Sequence, residues 1–188
     1  TPKPSSAASD VYKRQGDLSR PVMERLRKAT RKTVNDRKLR GLALAAIRET
    51  FEETGLIVGR PASKPSTTTH PVWRDYFSNG AEPPLEHMDF IARAITPAYR
   101  TRRFDTRFFM IHDQFIYNDP KQISDASGEL NELHWLTLNE ARQLDLPAVT
   151  RWAIDLVEQR IQLNPGEQLK QSAPFVRFVK GKEISIDL

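Results

Sequence analysis

Three carboxylates, Glu49, Glu52 and Glu53, stand at i, i+3 and i+4 in the string Arg48-Glu49-Thr50-Phe51-Glu52-Glu53-Thr54-Gly55-Leu56. In a helix those spacings share one face. Like charges that close repel by about 0.2–0.5 kcal/mol per pair even when exposed, and burying them without a counter-charge costs far more. A divalent cation among the oxygens would remove the repulsion. Hard cations such as Mg²⁺ take oxygen ligands and bridge to substrate phosphates. The plainer alternative is a solvated helix face, where glutamates usually lie.

The helix that must carry these groups reads as Leu39 to Thr54, with Leu42, Ala45, Ala46 and Phe51 as its packing side. Gly55 is a natural residue to stop it. Leu56 to Val58 then reads as a short strand. Upstream, Pro21 to Val34 reads as a basic helix with Ser19 as N-cap. Downstream, residues 59–71 read as a loop, Val72 to Asn79 as a short helix and residues 80–84 as a turn. Met88 to Thr96 and Phe104 to His112 alternate as strands, and Gln114 to Tyr117 extends the second or starts another edge. Glu132 to Leu136 reads as a strand, and Leu138 to Leu144 and Pro147 to Gln162 as helices. Phe175 to Val179 and Glu183 to Ile186 flank Lys180-Gly181-Lys182 as a hairpin within residues 173–188, placed at the periphery. The pattern predicts an α/β domain with a mixed sheet between helices.

The Arg48–Leu56 string resembles the second half of the Nudix box, R-E-U-x-E-E-x-G-U with U aliphatic; Thr50 departs from the first U. Counting back by that family's spacing puts Arg40 where a Glu belongs and Val34 where a Gly belongs. Gly16-Asp17 resembles the end of the box's glycine loop, without its Gly-Gly. Residues 16–40 then read as an insertion splitting the box, similar to the peroxisomal-type coenzyme A diphosphatase branch and its bacterial relatives. The resemblance covers roughly residues 16–161 and is highly specific only at 48–56.

The resemblance implies an α/β/α sandwich and a Mg²⁺- or Mn²⁺-dependent hydrolase that cleaves a diphosphate linkage in a nucleotide-type small molecule, with coenzyme A or an acyl-CoA among the candidates. It implies that Glu49 and Glu53 hold metal, that Glu52 adds a ligand or a base, and that Arg48 orients the carboxylates. Family members often add an acidic residue from a later loop; Glu129 and Glu132 are the candidates, and surface charges are the alternative. Arg102-Arg103-Phe104-Asp105-Thr106-Arg107-Phe108-Phe109 is similar to a string of the same branch. Alternation puts Phe104, Thr106 and Phe108 on one strand face and Arg103, Asp105, Arg107 and Phe109 on the other. Arg103 and Arg107 could grip phosphate bidentately, or an Arg–Asp cross-strand pairing could hold a solvated face. The competing functional class is a non-catalytic Nudix-fold binding or regulatory module.

At 188 residues the chain reads as one domain, residues 16–188, large enough for a real core. Its four His have no i, i+4 pairing, which argues against zinc. No G-x-S-x-G elbow suggests a serine hydrolase. With no Cys there is no disulfide framework or thiol chemistry. No apolar run approaches the roughly 18 residues that span a bilayer, and no secretory signal is evident, so a cytoplasmic protein with no membrane partner is expected. Net charge is +5, but residues 1–40 carry 12 Lys/Arg against 4 Asp/Glu. That excess reads as a solvated helix face, then as a rim for an anionic substrate; no nucleic-acid module accompanies it, and a homodimer stays open.

Residues 1–15 are rich in Ser, Ala and Lys without apolar period, and read as foreign to the fold or as a disordered N-terminus. A Nudix domain carries strands before its box, so the sheet is expected to lack its first strands. It should then present an unpaired edge or an open face, with Phe90, Phe108 and Trp135 partly uncovered. On that reading the chain as given is poorly soluble or oligomeric, and inactive or nearly so.

Overall fold

A computed structural model describes residues 16–28, 30, 33–119 and 134–188. The elements run in the order α1 (Arg20–Lys28), α2 (Asp36–Thr54), β1 (Arg60–Pro61), α3 (Pro71–Ser78), β2 (Ala81–Glu82), β3 (Asp89–Ile95), β4 (Asp105–Met110), α4 (Leu138–Gln143), α5 (Ala148–Ile161), α6 (Pro165–Gln168), β5 (Pro174–Val179) and β6 (Lys182–Asp187). Single 3₁₀ turns at Leu85–His87 and Asp113–Phe115 lie between them. Residues 1–15, Glu129 and Glu132 lie outside the described residues.

The fold is mixed α/β. Its main sheet has the order β4-β3-β5-β6, with β3 antiparallel to β4, parallel to β5, and β5 antiparallel to β6. β1 and β2 pair as a separate two-stranded ribbon. Alternation in the strands divides the packing between two faces, with a register shift between Phe90 and Ala92 in β3 that puts Ile91 and Ala92 on the same one. Phe90, Phe109 and Phe175 meet Leu39, Ala43, Leu44 and Ile47 of α2 and Val22, Met23 and Leu26 of α1. Ile91, Ala92, Phe108 and Met110 meet Trp152, Leu156 and Val157 of α5. The sheet is therefore covered by α1 and α2 on one side and by α5 on the other.

The basic stretch after Gly16 earns its helix by this packing. Its apolar residues are core, while Arg20 and Lys28 remain exposed. α1 stops at Lys28, short of the expected Val34, where Thr30 turns its hydroxyl back onto the Leu26 and Arg27 carbonyls. α2 starts three residues earlier than periodicity suggests, because Asn35 caps it: its side chain accepts from the Lys38 N–H at 3.0 Å.

Arg25, Asp89 and Arg160 form a buried ionic cluster linking α1, β3 and α5. Arg25 bridges Asp89 Oδ1, and Arg160 Nε donates to Asp89 Oδ2 at 3.0 Å. Other guanidinium donors reach backbone carbonyls, Arg25 at Leu169 (2.7 Å) and Arg160 at Ser172 (2.6 Å), while Arg25 Nε is buried without a partner. Burial pushes the Asp89 carboxyl up, against the pull of the two guanidinium groups, and pushes Arg25 down.

Several expectations are corrected. Leu56 to Val58 is not a strand: only Val58 pairs, in a single bridge with Ile116, and the first paired strand is β1. Residues 114–117 form a 3₁₀ turn and that bridge rather than a strand edge. Residues 134–136 are exposed and carry no strand. The C-terminal hairpin is not peripheral, since β5 inserts beside β3; its Lys180-Gly181 turn has both residues at positive φ, as a two-residue hairpin requires. Phe90 is fully buried rather than uncovered, because α1 and α2 close over it. Phe108 is half-buried, and Trp135 is 63% exposed. Among the described residues, β4 and β6 are the sheet edges, and no helix is long and apolar enough to cross a membrane.

Candidate functional site

The three carboxylates sit on the last two turns of α2, and local chemistry fixes where that helix ends. Gly55 adopts φ 70°, a left-handed conformation that costs other L-residues about 1 kcal/mol or more, and its N–H closes onto the Phe51 carbonyl at 2.9 Å. Phe51 packs edge-on against Tyr76 of α3, and the Tyr76 hydroxyl, pushed well up by burial, donates to the Val58 carbonyl at 2.6 Å. The end of α2 is thus held from below by α3.

Asn118 holds it from the side, and nothing in the sequence pointed to that residue. Its amide NH₂ donates to the Gly55 carbonyl at 3.0 Å, and its amide oxygen accepts from the Ile57 N–H at 2.8 Å. The Tyr117 N–H to Ile57 carbonyl and Gly59 N–H to Phe115 carbonyl bonds, each 2.8 Å, zip the two segments together beside it. The partners lie 61 and 63 residues away, so no local spacing could reveal them. Asn118→Ala leaves both backbone groups without this partner. At about 1–3 kcal/mol for a hydrogen-bonding group stranded away from water, chemical denaturation should register a clear fall in midpoint. An unchanged midpoint would mean that water replaces the clamp.

Within the site, Arg48 reaches both Glu49 and Glu52 with separate guanidinium nitrogens. Arg48 is mostly covered, while Glu49 and Glu52 keep about a third of their side-chain surface open. Glu53 is exposed and makes no hydrogen bond or ion pair with any described residue. The structure therefore brings Glu49 and Glu52 together on one counter-charge and leaves Glu53 free beside them. Among the described residues no group of three His, Cys, Asp or Glu side chains is arranged to hold a metal ion. The donors still fit a hard cation in kind: they are carboxylate oxygens, accessible, on one helix end. What is missing from a full set is arrangement, since Arg48 occupies two of the three.

Gly16-Asp17 does not join this group. Arg40 of α2 donates to the Gly16 carbonyl at 2.7 Å and stands 3.9 Å from Asp17. Nine residues separate Arg40 from Glu49, about 13 Å along a helix axis.

The two candidate phosphate-gripping arginines of the RRFDTRFF string, Arg103 and Arg107, part company. Arg107 is turned into a cross-strand ion cluster, 3.4 Å from Asp105, which also takes a two-pronged grip from Arg93 at 2.6 and 2.7 Å. Burial alone would raise the Asp105 carboxyl, but the Arg93 hydrogen bond and the Arg107 and Arg93 charges outweigh it and hold it below its ordinary value. Arg93 also stacks over Phe175 at 4.4 Å. Arg107 thus has a structural partner, whereas Arg103 is exposed in the β3–β4 turn.

No family model matches the chain, and neither a curated protein nor a solved structure matches it.

Proposed function

We propose that this protein is a divalent-metal-dependent hydrolase of a diphosphate linkage in a nucleotide-type small molecule, built on a Nudix-type α/β/α sandwich. The observation that supports it is the end of α2: Glu49, Glu52 and Glu53 occupy its last two turns, Arg48 holds two of them, and Gly55 ends the helix as the resembled motif requires. On this reading Glu49 and Glu53 hold Mg²⁺ or Mn²⁺, with Glu52 and Glu129 as further ligands. Bound metal would supply charge for the phosphoryl oxygens and a more acidic water. Arg48 keeps Glu49 and Glu52 oriented by charge-assisted hydrogen bonds. Coenzyme A or an acyl-CoA is the substrate class that the resemblance favours.

A non-catalytic binding module is the second reading, favoured by the pairing of both Glu49 and Glu52 with Arg48. A hydrolysis panel separates the two. The protein is incubated with Mg²⁺ or Mn²⁺ and coenzyme A, ADP-ribose or diadenosine polyphosphates. The expected result is metal-dependent release of 4′-phosphopantetheine and 3′,5′-ADP, faster than any other cleavage. A clear preference for ADP-ribose overturns the substrate. No metal-dependent cleavage of any of them overturns the enzyme.

A further inference from the structure

A cleft lies on the sheet face opposite the carboxylates. It encloses about 570 Å³ between β3, β4, β5 and the first turn of α5, inside the 300–1,000 Å³ range of small-molecule sites. Thr106 and Val176 share strand parity with Phe108 and Phe178, which places the cleft on the α5 side. Its walls are largely apolar and aromatic: Phe104, Trp152 and Phe178 with Ile95 and Tyr99. The rings already make edge-on contacts, Tyr99 to Phe178 at 6.4 Å and Phe108 to Trp152 at 6.3 Å, the geometry that aromatic guests also favour.

Arg100 lines the cleft, its guanidinium 5.8 Å from the Tyr99 ring centroid, and Arg102 and Arg103 follow in the same exposed turn. None of the three makes an ion pair with a described residue. One carboxylate, Glu183, lines the cleft, and no ion pair joins it to Arg100. Arg100, beside the Tyr99 ring, gives an anion a counter-charge next to the aromatic wall, with Glu183 as the one lining carboxylate, and the walls favour a flat apolar body.

We propose that this cleft binds a small aromatic anion, its ring system between Phe104, Trp152 and Phe178 and its carboxylate or sulfonate on Arg100. The inference is independent of the hydrolase reading.

Isothermal titration with 2-naphthoate, 2-naphthalenemethanol and 2-naphthylmethylamine tests it. One 2-naphthoate should bind per chain, at least about ten-fold tighter than the amine, a difference readily resolved in Kd. Arg100→Gln, on an exposed side chain, should weaken naphthoate about ten-fold and leave the neutral alcohol unchanged. Val149→Trp, at a 41% exposed position on the rim, should weaken both by filling the cleft, with thermal melting as the control for folding. The proposal is overturned if naphthoate does not saturate, if the amine binds as well as the acid, or if Arg100→Gln binds all three probes as the wild type does.

Discussion

Replacing Asp89 with alanine should destabilise the protein by about 3–5 kcal/mol, a large share of the roughly 5–15 kcal/mol that keeps a domain folded. Asp89 is 3% exposed and neutralises two guanidinium groups that are themselves buried. Removing it leaves Arg25 and Arg160 facing each other in a region where neither can be hydrated. The cluster is costly even when intact, as the burial-driven shifts of Asp89 and Arg25 indicate. A contrast follows. Exchanging Arg25, Asp89 and Arg160 together for apolar residues of similar volume should cost far less than Asp89→Ala alone, because no charge is then stranded. Urea denaturation of both variants checks this. If Asp89→Ala unfolds at the wild-type midpoint, water reaches the cluster and the pairing carries little weight.

The same cluster marks where sequence reading stops. The helices were legible because their apolar residues recur at helical spacing: Val22, Met23 and Leu26 in α1, and Trp152 and Leu156 in α5, are where the two packing layers need them. β3 and β4 were legible from alternation. The ionic cluster was not, because Arg25 lies 64 residues and Arg160 71 residues from Asp89, and a lone Asp at a strand start carries no signal of burial. Leu56-Ile57-Val58 misled for a related reason. Ile57 and Val58 are buried as a strand's residues would be, yet they cross the core as a single bridge held by Asn118 and the 115–117 backbone. An apolar run reports burial; it does not report whether a neighbouring strand exists to pair with. The candidate site was legible as a helix face and its stop signal. The grip of Arg48 on two carboxylates was legible only as an orienting role, and the clamp by Asn118 not at all.

That grip decides what the largest functional effect should be. Glu53 alone of the three carboxylates has no counter-charge among the described residues, so it is the group most available to a cation. Glu53→Gln keeps the shape and removes the charge that a hard cation requires. If the proposed hydrolysis is observed, Glu53→Gln should lower it by at least about 10²-fold, the scale expected when several kcal/mol of metal-borne transition-state stabilisation is lost. The fold should be untouched, because the side chain is exposed and substitutions there usually change stability by no more than about 0.5 kcal/mol. Arg48→Ala predicts a different pattern. It leaves Glu49 and Glu52 without their shared partner, which restores a like-charge repulsion on the helix end. Stability should then fall modestly without metal and recover as Mn²⁺ is added, since a cation bound to the folded state stabilises it by mass action. Thermal melting across a Mn²⁺ titration reads both variants at once. A Glu53→Gln protein that hydrolyses at the wild-type rate, or an Arg48→Ala protein whose melting ignores Mn²⁺, would remove the metal from the carboxylates of α2 and leave the non-catalytic reading standing.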